Sequence, residues 1–205
     1  MITPMQRDID RVLDFWFGEL RDGSTVEDRS KLWFGSDVET DELIKKEFGS
    51  LHASAVKGEL DGWRETPGGR LALIILFDQF SRNIFRGTAE AFACDPAALQ
   101  LCLEGLETGA DKQLAPVERD FFYLPLEHSE TLAHQDSCVQ RYTELMESLP
   151  AGQCERVKES LGYAVQHRDI IERFGRFPHR NRALNRDSTA EELAYLKGKG
   201  SRFGQ

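Results

Sequence analysis

Positive charge is scarce in this chain. Its 26 Lys and Arg face 35 Asp and Glu, a formal net charge of -9, with an isoelectric point near 5.1. Nucleic acid and anionic membrane both demand a dominant basic field, so neither is an expected partner, and the arginines must act locally. Cysteine is also sparse. Cys94, Cys102, Cys138 and Cys154 form no C-x-x-C pair and no zinc-finger spacing, so they read as small buried hydrophobes in a reducing compartment. No apolar run approaches the length of a membrane span, and the opening MITPMQRDIDRV carries charges where a signal peptide needs an apolar core. A soluble cytoplasmic protein is the expectation. No stretch rich in Gly, Ser or Pro separates periodic segments, which predicts one helical domain over residues 1–205 with a mobile tail from about residue 198.

Chemical signatures are missing too. No G-x-S-x-G, P-loop or G-x-G-x-x-G string occurs, and there is no H-E-x-x-H. A carboxylate-bridged metal bundle needs Glu three residues before His. Before His128, His134, His167 and His179 stand Pro125, Thr131, Ala164 and Arg176. Neither a cofactor nor a metal is predicted.

What is present is helix punctuation from end to end, with no sustained strand alternation, so the class is all-α. Thr3 before Pro4 opens a first helix with Ile9, Val12, Leu13 and Trp16 on one stripe, closed by Gly18. Arg21 to Ser30 reads as a polar connector. Ser36 and Glu39 have capping-box spacing for a second helix, flanked by Trp33 and Trp63 as packing anchors. Thr66-Pro67 starts the most apolar helix, Leu71 to Phe85. It is hydrophobic all round through Phe77 and then polar, which places it at the centre of the fold. Asp95-Pro96 is a further cap-and-proline start, Pro125 is expected to interrupt an aromatic helix begun at Pro116, and Asp136 to cap a helix of its own. Ser188 and Glu191 have the spacing of a last capping box. Short connections suggest antiparallel helix pairs, stacked as a bundle or a tetratricopeptide-like array.

Three segments carry unusual polar content: Asp78 to Arg86, Tyr123 to Glu130, and His167 to Asn181. The last begins on an amphipathic helix whose stripe is Ile170, Ile171, Phe174 and Phe177. Its flanks predict i,i+4 pairs of Asp169 with Arg173 and Glu172 with Arg176. Pro178 must stop that helix, leaving a turn, His179-Arg180-Asn181-Arg182, dense in donors beside its last carbonyls.

In LALIILFDQFSRNIFRGTAEAFACDP, FFYLPLEHSE and HRDIIERFGRFPHRNRALNRDST the chain resembles the bacterial family DUF924, a domain of unknown function grouped with tetratricopeptide-like helical folds. Three long strings in the right order make the resemblance specific, and it covers nearly the whole chain. Ser81 stands where the family pattern has proline and Asn185 where it has glycine. Asn accepts the left-handed conformation such a turn needs. The resemblance implies the fold and supplies no reaction.

The polar residues therefore admit three readings. The first is a structural network, with Asp78 paired to Arg82, Gln79 to Asn83, and the His/Arg turn capping its helix. In the second, a ligand- or protein-binding domain, Arg82, Arg86, His179 and Arg180 present donors to a small anion, a carboxylate or a phosphate-bearing ligand, a peptide being the partner that an open helical array would take instead. In the third, an enzyme, His128 or His167 is a general base oriented by Asp78 or Glu130. The candidate residues are Asp78, Gln79, Arg82, Asn83, Arg86, His128, Glu130, His167, His179, Arg180 and Asn181. Arg82 and Arg180 are the expected anion holders, unless internal carboxylates, Asp78 and Glu130, already fill their forks.

Overall fold

The computed structural model describes residues 2–150 and 152–198, so the tail expected to be mobile lies almost wholly outside the described residues. The protein is all-α. Helix α1 (Pro4–Phe17) starts where Thr3 accepts the Gln6 N–H at 3.1 Å and ends at Gly18. In place of a featureless connector, a two-stranded hairpin follows, β1 (Leu20–Arg21) against β2 (Ser24–Thr25). Its turn places Asp22 and Gly23 at positive φ, which a short polar residue and a glycine tolerate. Helix α2 (Ser30–Phe34) leads into α3 (Val38–Val56). Asp37 caps α3 by accepting from Glu39 and Thr40, displacing the expected Ser36 cap by one residue. A carboxylate satisfies two orphan donors of the first turn at once.

The central helix comes next and has three parts: α4 (Pro67–Ile74), a π segment (Ile75–Phe80) and α5 (Ser81–Ile84). Every side chain from Gly69 to Ser81 is buried, including Asp78 and Gln79. Helices α1 and α3 cover it on the N-terminal side of the fold, while α6 (Asp95–Thr108) and α7 (Pro116–Glu127) pack against it from later in the chain. Phe80 fixes the junction with α1 and α3, its ring centroid 5.5 Å from that of Trp16 and 4.8 Å from that of Phe48. Close approach of α6 relies on Gly105, where a Cβ would lie 2.4 Å from the Phe122 ring.

Pro125 does not break α7. It sits within the last turn, where the lost N–H costs one hydrogen bond and the helix ends two residues later. The chain then breaks at His128 to Thr131, and α8 (Leu132–Ser148) runs unbroken through Asp136, whose carboxylate takes Arg168 at 2.7 Å instead of capping. Helix α9 (Glu155–Phe174) lies along α8 and ends at Gly175 in the left-handed conformation. The pairs expected within α9 are replaced by longer-range ones: Arg173 reaches Glu191, Arg176 reaches Glu192, and Glu172 takes Arg168. A second small core of Ile170, Ile171 and Phe177 holds the final segment, whose helix α10 (Ala190–Lys197) carries its capping box on Thr189 and Glu192, one residue beyond the expected pair. Among the described residues, no helix is long and apolar enough to cross a membrane.

Candidate functional site

The π segment decides where the chemistry sits. Its hydrogen bonds span one residue more than those of an α-helix, and such insertions recur at functional sites. Here it brings Asp78 and Gln79 round to face α7 and the break after it. Asp78 Oδ1 meets His128 Nδ1 at 2.7 Å and Arg82 Nη1 at 3.2 Å, and Gln79 Nε2 donates to Asp78 Oδ2. Burial by itself would raise the Asp78 pKa, but the charge of Arg82 and the hydrogen bonds from His128 and Gln79 bring it below the usual carboxylate range. Asp78 is therefore a buried anion, and a carboxylate can only accept, so the hydrogen of the His128 ring lies on Nδ1. The other nitrogen, Nε2, carries the lone pair. No described protein group hydrogen-bonds to it, and His128 forms part of the wall of a cavity of about 430 Å³.

Of the candidates read from the sequence, Gln79, Arg82, Asn83, Arg86, His128 and His167 line this one cavity. Asp78 stands behind its wall. The arginines on it are anchored from the far side: Arg82 donates to both oxygens of Asp95 at 3.0 and 3.3 Å and to the Asp78 carbonyl at 2.6 Å, while Arg86 and Asn83 share Asp41. Asp95, which the sequence offered as a helix cap, is thus a clamp. It also takes Arg180 at 3.2 Å, and no side-chain cap forms at its helix.

The remaining candidates lie elsewhere. Arg180 is not on the cavity wall; its guanidinium donates to Asp95 and the His128 carbonyl and lies 4.8 and 4.6 Å from the rings of Phe92 and Phe177. Burial and the charge of Arg82 lower its pKa to about 10. His179 packs beside Phe177, where burial, with the charge of Arg180, brings its pKa down to about 3. Glu130 and Asn181 fasten the last segment: Glu130 accepts from both terminal nitrogens of Arg186 and from the Phe177 N–H, and Asn181 joins Ser188, Glu192 and Arg186. Asn185 has φ of +51°, as a glycine position would.

A model of the family described as bacterial protein of unknown function (DUF924) matches residues 12–200. The chain belongs to the DUF924 family. Among solved structures it is similar to a protein of unknown function from Agrobacterium tumefaciens, 38% identical, with a TM-score of 0.78 over 93% of this chain and 97% of that one. No curated protein matches it.

Residues of this DUF924 chain that sequence reasoning passed over complete the cavity. Glu127, next to His128, is fully buried, and its Oε1 lies 3.1 Å from His167 Nδ1. Burial, reinforced by Asp120 and Asp78, raises its pKa well above the ordinary value of 4.5, which favours the neutral carboxylic acid. His167 Nδ1 is 2.9 Å from the Tyr163 carbonyl, an acceptor, which places its hydrogen there, and burial holds its pKa well below 6.5. His128 is likewise lowered by burial, with Asp78 opposing the shift and Arg82 adding to it. Arg156, Tyr163 and His167 fall on one face of α9, and Trp33 and Phe34 come from α2. The readable signals were an acid inside the aromatic run DFFYLPLEH and the spacing 156, 160, 163, 167, which is one helical stripe. Among the described residues, no group of three His, Cys, Asp or Glu is arranged to hold a metal ion.

Proposed function

We propose that this DUF924 chain is an enzyme that moves protons on a small molecule held in the cavity, with His128 as general base. The observation that carries this reading is the Asp78–His128 pair, a buried carboxylate 2.7 Å from Nδ1 with Nε2 unpartnered on the cavity wall. Asp78 fixes the tautomer and steadies the imidazolium that forms when Nε2 takes a proton from a bound O–H, N–H or water. Glu127 is the matching acid. Two titratable neighbours pushed in opposite directions, a carboxyl kept protonated and an imidazole kept neutral, mark an acid and base assignment. Glu127 gives its proton to the atom where negative charge develops, and His128 then returns its own to Glu127 through water, so the pair is reset.

The size of the cavity supports a small ligand over a peptide laid along an open array, since pockets for small molecules run to roughly 300–1,000 Å³. We read the successive packing of α7, α8 and α9 as tetratricopeptide-like, here closed over a pocket instead of leaving a groove. A domain that binds in the same cavity without chemistry is the second reading, favoured by the arginines on its wall. A panel of small chromogenic carboxylic and phosphoric esters and amides separates the two. Turnover by the wild type should fall about 10²–10⁴-fold in His128→Asn. Its pH profile should rise through a limb below 6.5, as His128 loses its proton, and fall through a limb above 4.5, as Glu127 loses its own. Equal rates in wild type and His128→Asn, or no turnover of any panel member, would leave only the binding reading.

A further inference from the structure

Arg156 differs from the other arginines on the cavity wall. Arg82 and Arg86 are each hydrogen-bonded to a carboxylate behind the wall. Arg156 Nη2 lies 2.8 Å from Asp120 Oδ2, close enough for an ion pair, yet that oxygen accepts no hydrogen bond, and Arg156 Nε is buried with no partner. Its guanidinium carbon lies over the Trp33 ring, 4.3 Å from the ring centre. The charge is compensated while the planar fork of donors is unused. The Nε itself is closed off, but the side chain is 31% exposed and makes no hydrogen bond to any described protein group, so its terminal nitrogens can take an acceptor from a ligand.

The same wall carries two aromatic side chains that packing does not explain. Phe34 of α2 is 62% exposed and Tyr163 of α9, two turns beyond Arg156, is 53% exposed, and both line the cavity. Asp41, Asp78, Asp95 and Asp120, the acids that balance the arginines, are not part of the lining. The lining itself carries two carboxyl residues, Glu127 and Glu159, beside Arg82, Arg86 and Arg156.

We infer that the cavity takes a planar organic anion, an aromatic or conjugated carboxylate or phosphate, whose charged end is held by Arg156 and whose apolar body lies against Phe34 and Tyr163. This rests on the reading of the cavity as the working site and names the class of molecule on which His128 would act. The probes are 2-naphthoate, its neutral isostere 2-naphthamide, and acetate, compared by calorimetry and thermal shift on the full chain. Naphthoate should bind and raise the melting temperature, since a ligand of the folded state must stabilise it, and the amide and acetate should bind at least about tenfold more weakly. Arg156→Lys keeps the charge but loses the fork, and should weaken naphthoate at least about tenfold. Tyr163→Ala, at an exposed position that does not endanger folding, should weaken it as well. Equal binding of naphthoate and naphthamide, an unchanged affinity in both variants, or no naphthoate binding at all overturns the inference. His128→Asn separates it from the catalytic reading: naphthoate affinity retained with turnover lost supports both, whereas Arg156-dependent binding with turnover intact leaves the anion site standing and removes His128 as base.

Discussion

Asp78→Asn is nearly isosteric, so it opens no void, and its cost comes from charge alone. The carboxylate is completely buried, 3.2 Å from Arg82 and 2.7 Å from His128, and it carries part of the balance for an arginine that is itself mostly buried. Removing one member of a buried ion pair costs about 3–5 kcal/mol, because the other is left uncompensated. Asp95 still grips Arg82 through both terminal nitrogens, which puts the expected loss at the low end, about 3 kcal/mol. In a chain of this size each 1 kcal/mol moves the melting temperature by about 2–4 °C, so a fall of about 6–12 °C is expected. Urea unfolding with the slope unchanged would give the same loss as a shifted midpoint. Asp78 is also the charge that draws the His128 pKa upward against burial, so in the variant that pKa must drop further. A stability loss under about 1 kcal/mol, with the His128 titration unmoved, would refute the assignment of Asp78 as a buried anion.

Two other outcomes follow from the same network. Glu127 has a folded-state pKa raised above 4.5, so above that pH the unfolded chain releases a proton that the native one keeps, and stability is lost as pH rises towards the native value. Glu127→Gln abolishes that loss: the difference in stability between variant and wild type should grow by up to about 1.4 kcal/mol per pH unit above 4.5, and a flat difference would mean that Glu127 is ionised when folded. Glu130→Gln weakens the paired bonds to Arg186, at 2.7 and 2.9 Å, that tie the stretch after α9 to the end of α7. Amide exchange in residues 176–188 should speed up ahead of the rest of the fold, and uniform acceleration would show that the last segment is not a separate unit.

The parts of this protein legible in the sequence were those that depend on local chemistry. Thr3, Thr66 and Gly18 start and stop helices by satisfying backbone groups near them in the chain, and the all-round apolar run from Leu71 to Phe77 had no place but the centre. The cap errors at Ser36 and Ser188 are one-residue shifts between equivalent short side chains. What pattern reading could not supply was the pairing of charges across the fold. Helical spacing offered Arg176 to Glu172, but Glu192, 16 residues on, is buried and competes better. Asp95 looked like a cap because nothing local shows that Arg82 and Arg180 both converge on it. The candidate list reached His128 and His167 through their crowded polar strings, and missed Glu127 and Arg156, whose surroundings in sequence are ordinary. The raised pKa of Glu127 and the unmet Nε–H of Arg156 are properties of burial, which exists only once α7, α9 and the π segment meet.

The claim that matters most is that His128 is a neutral base with its free nitrogen towards the cavity, and the side-chain ¹⁵N spectrum of the histidines reads it directly. At pH 7 His128 should show Nδ1 protonated and Nε2 bare, with a titration midpoint below 6.5. A spectrum with the hydrogen on Nε2, or an imidazolium at pH 7, would contradict the account.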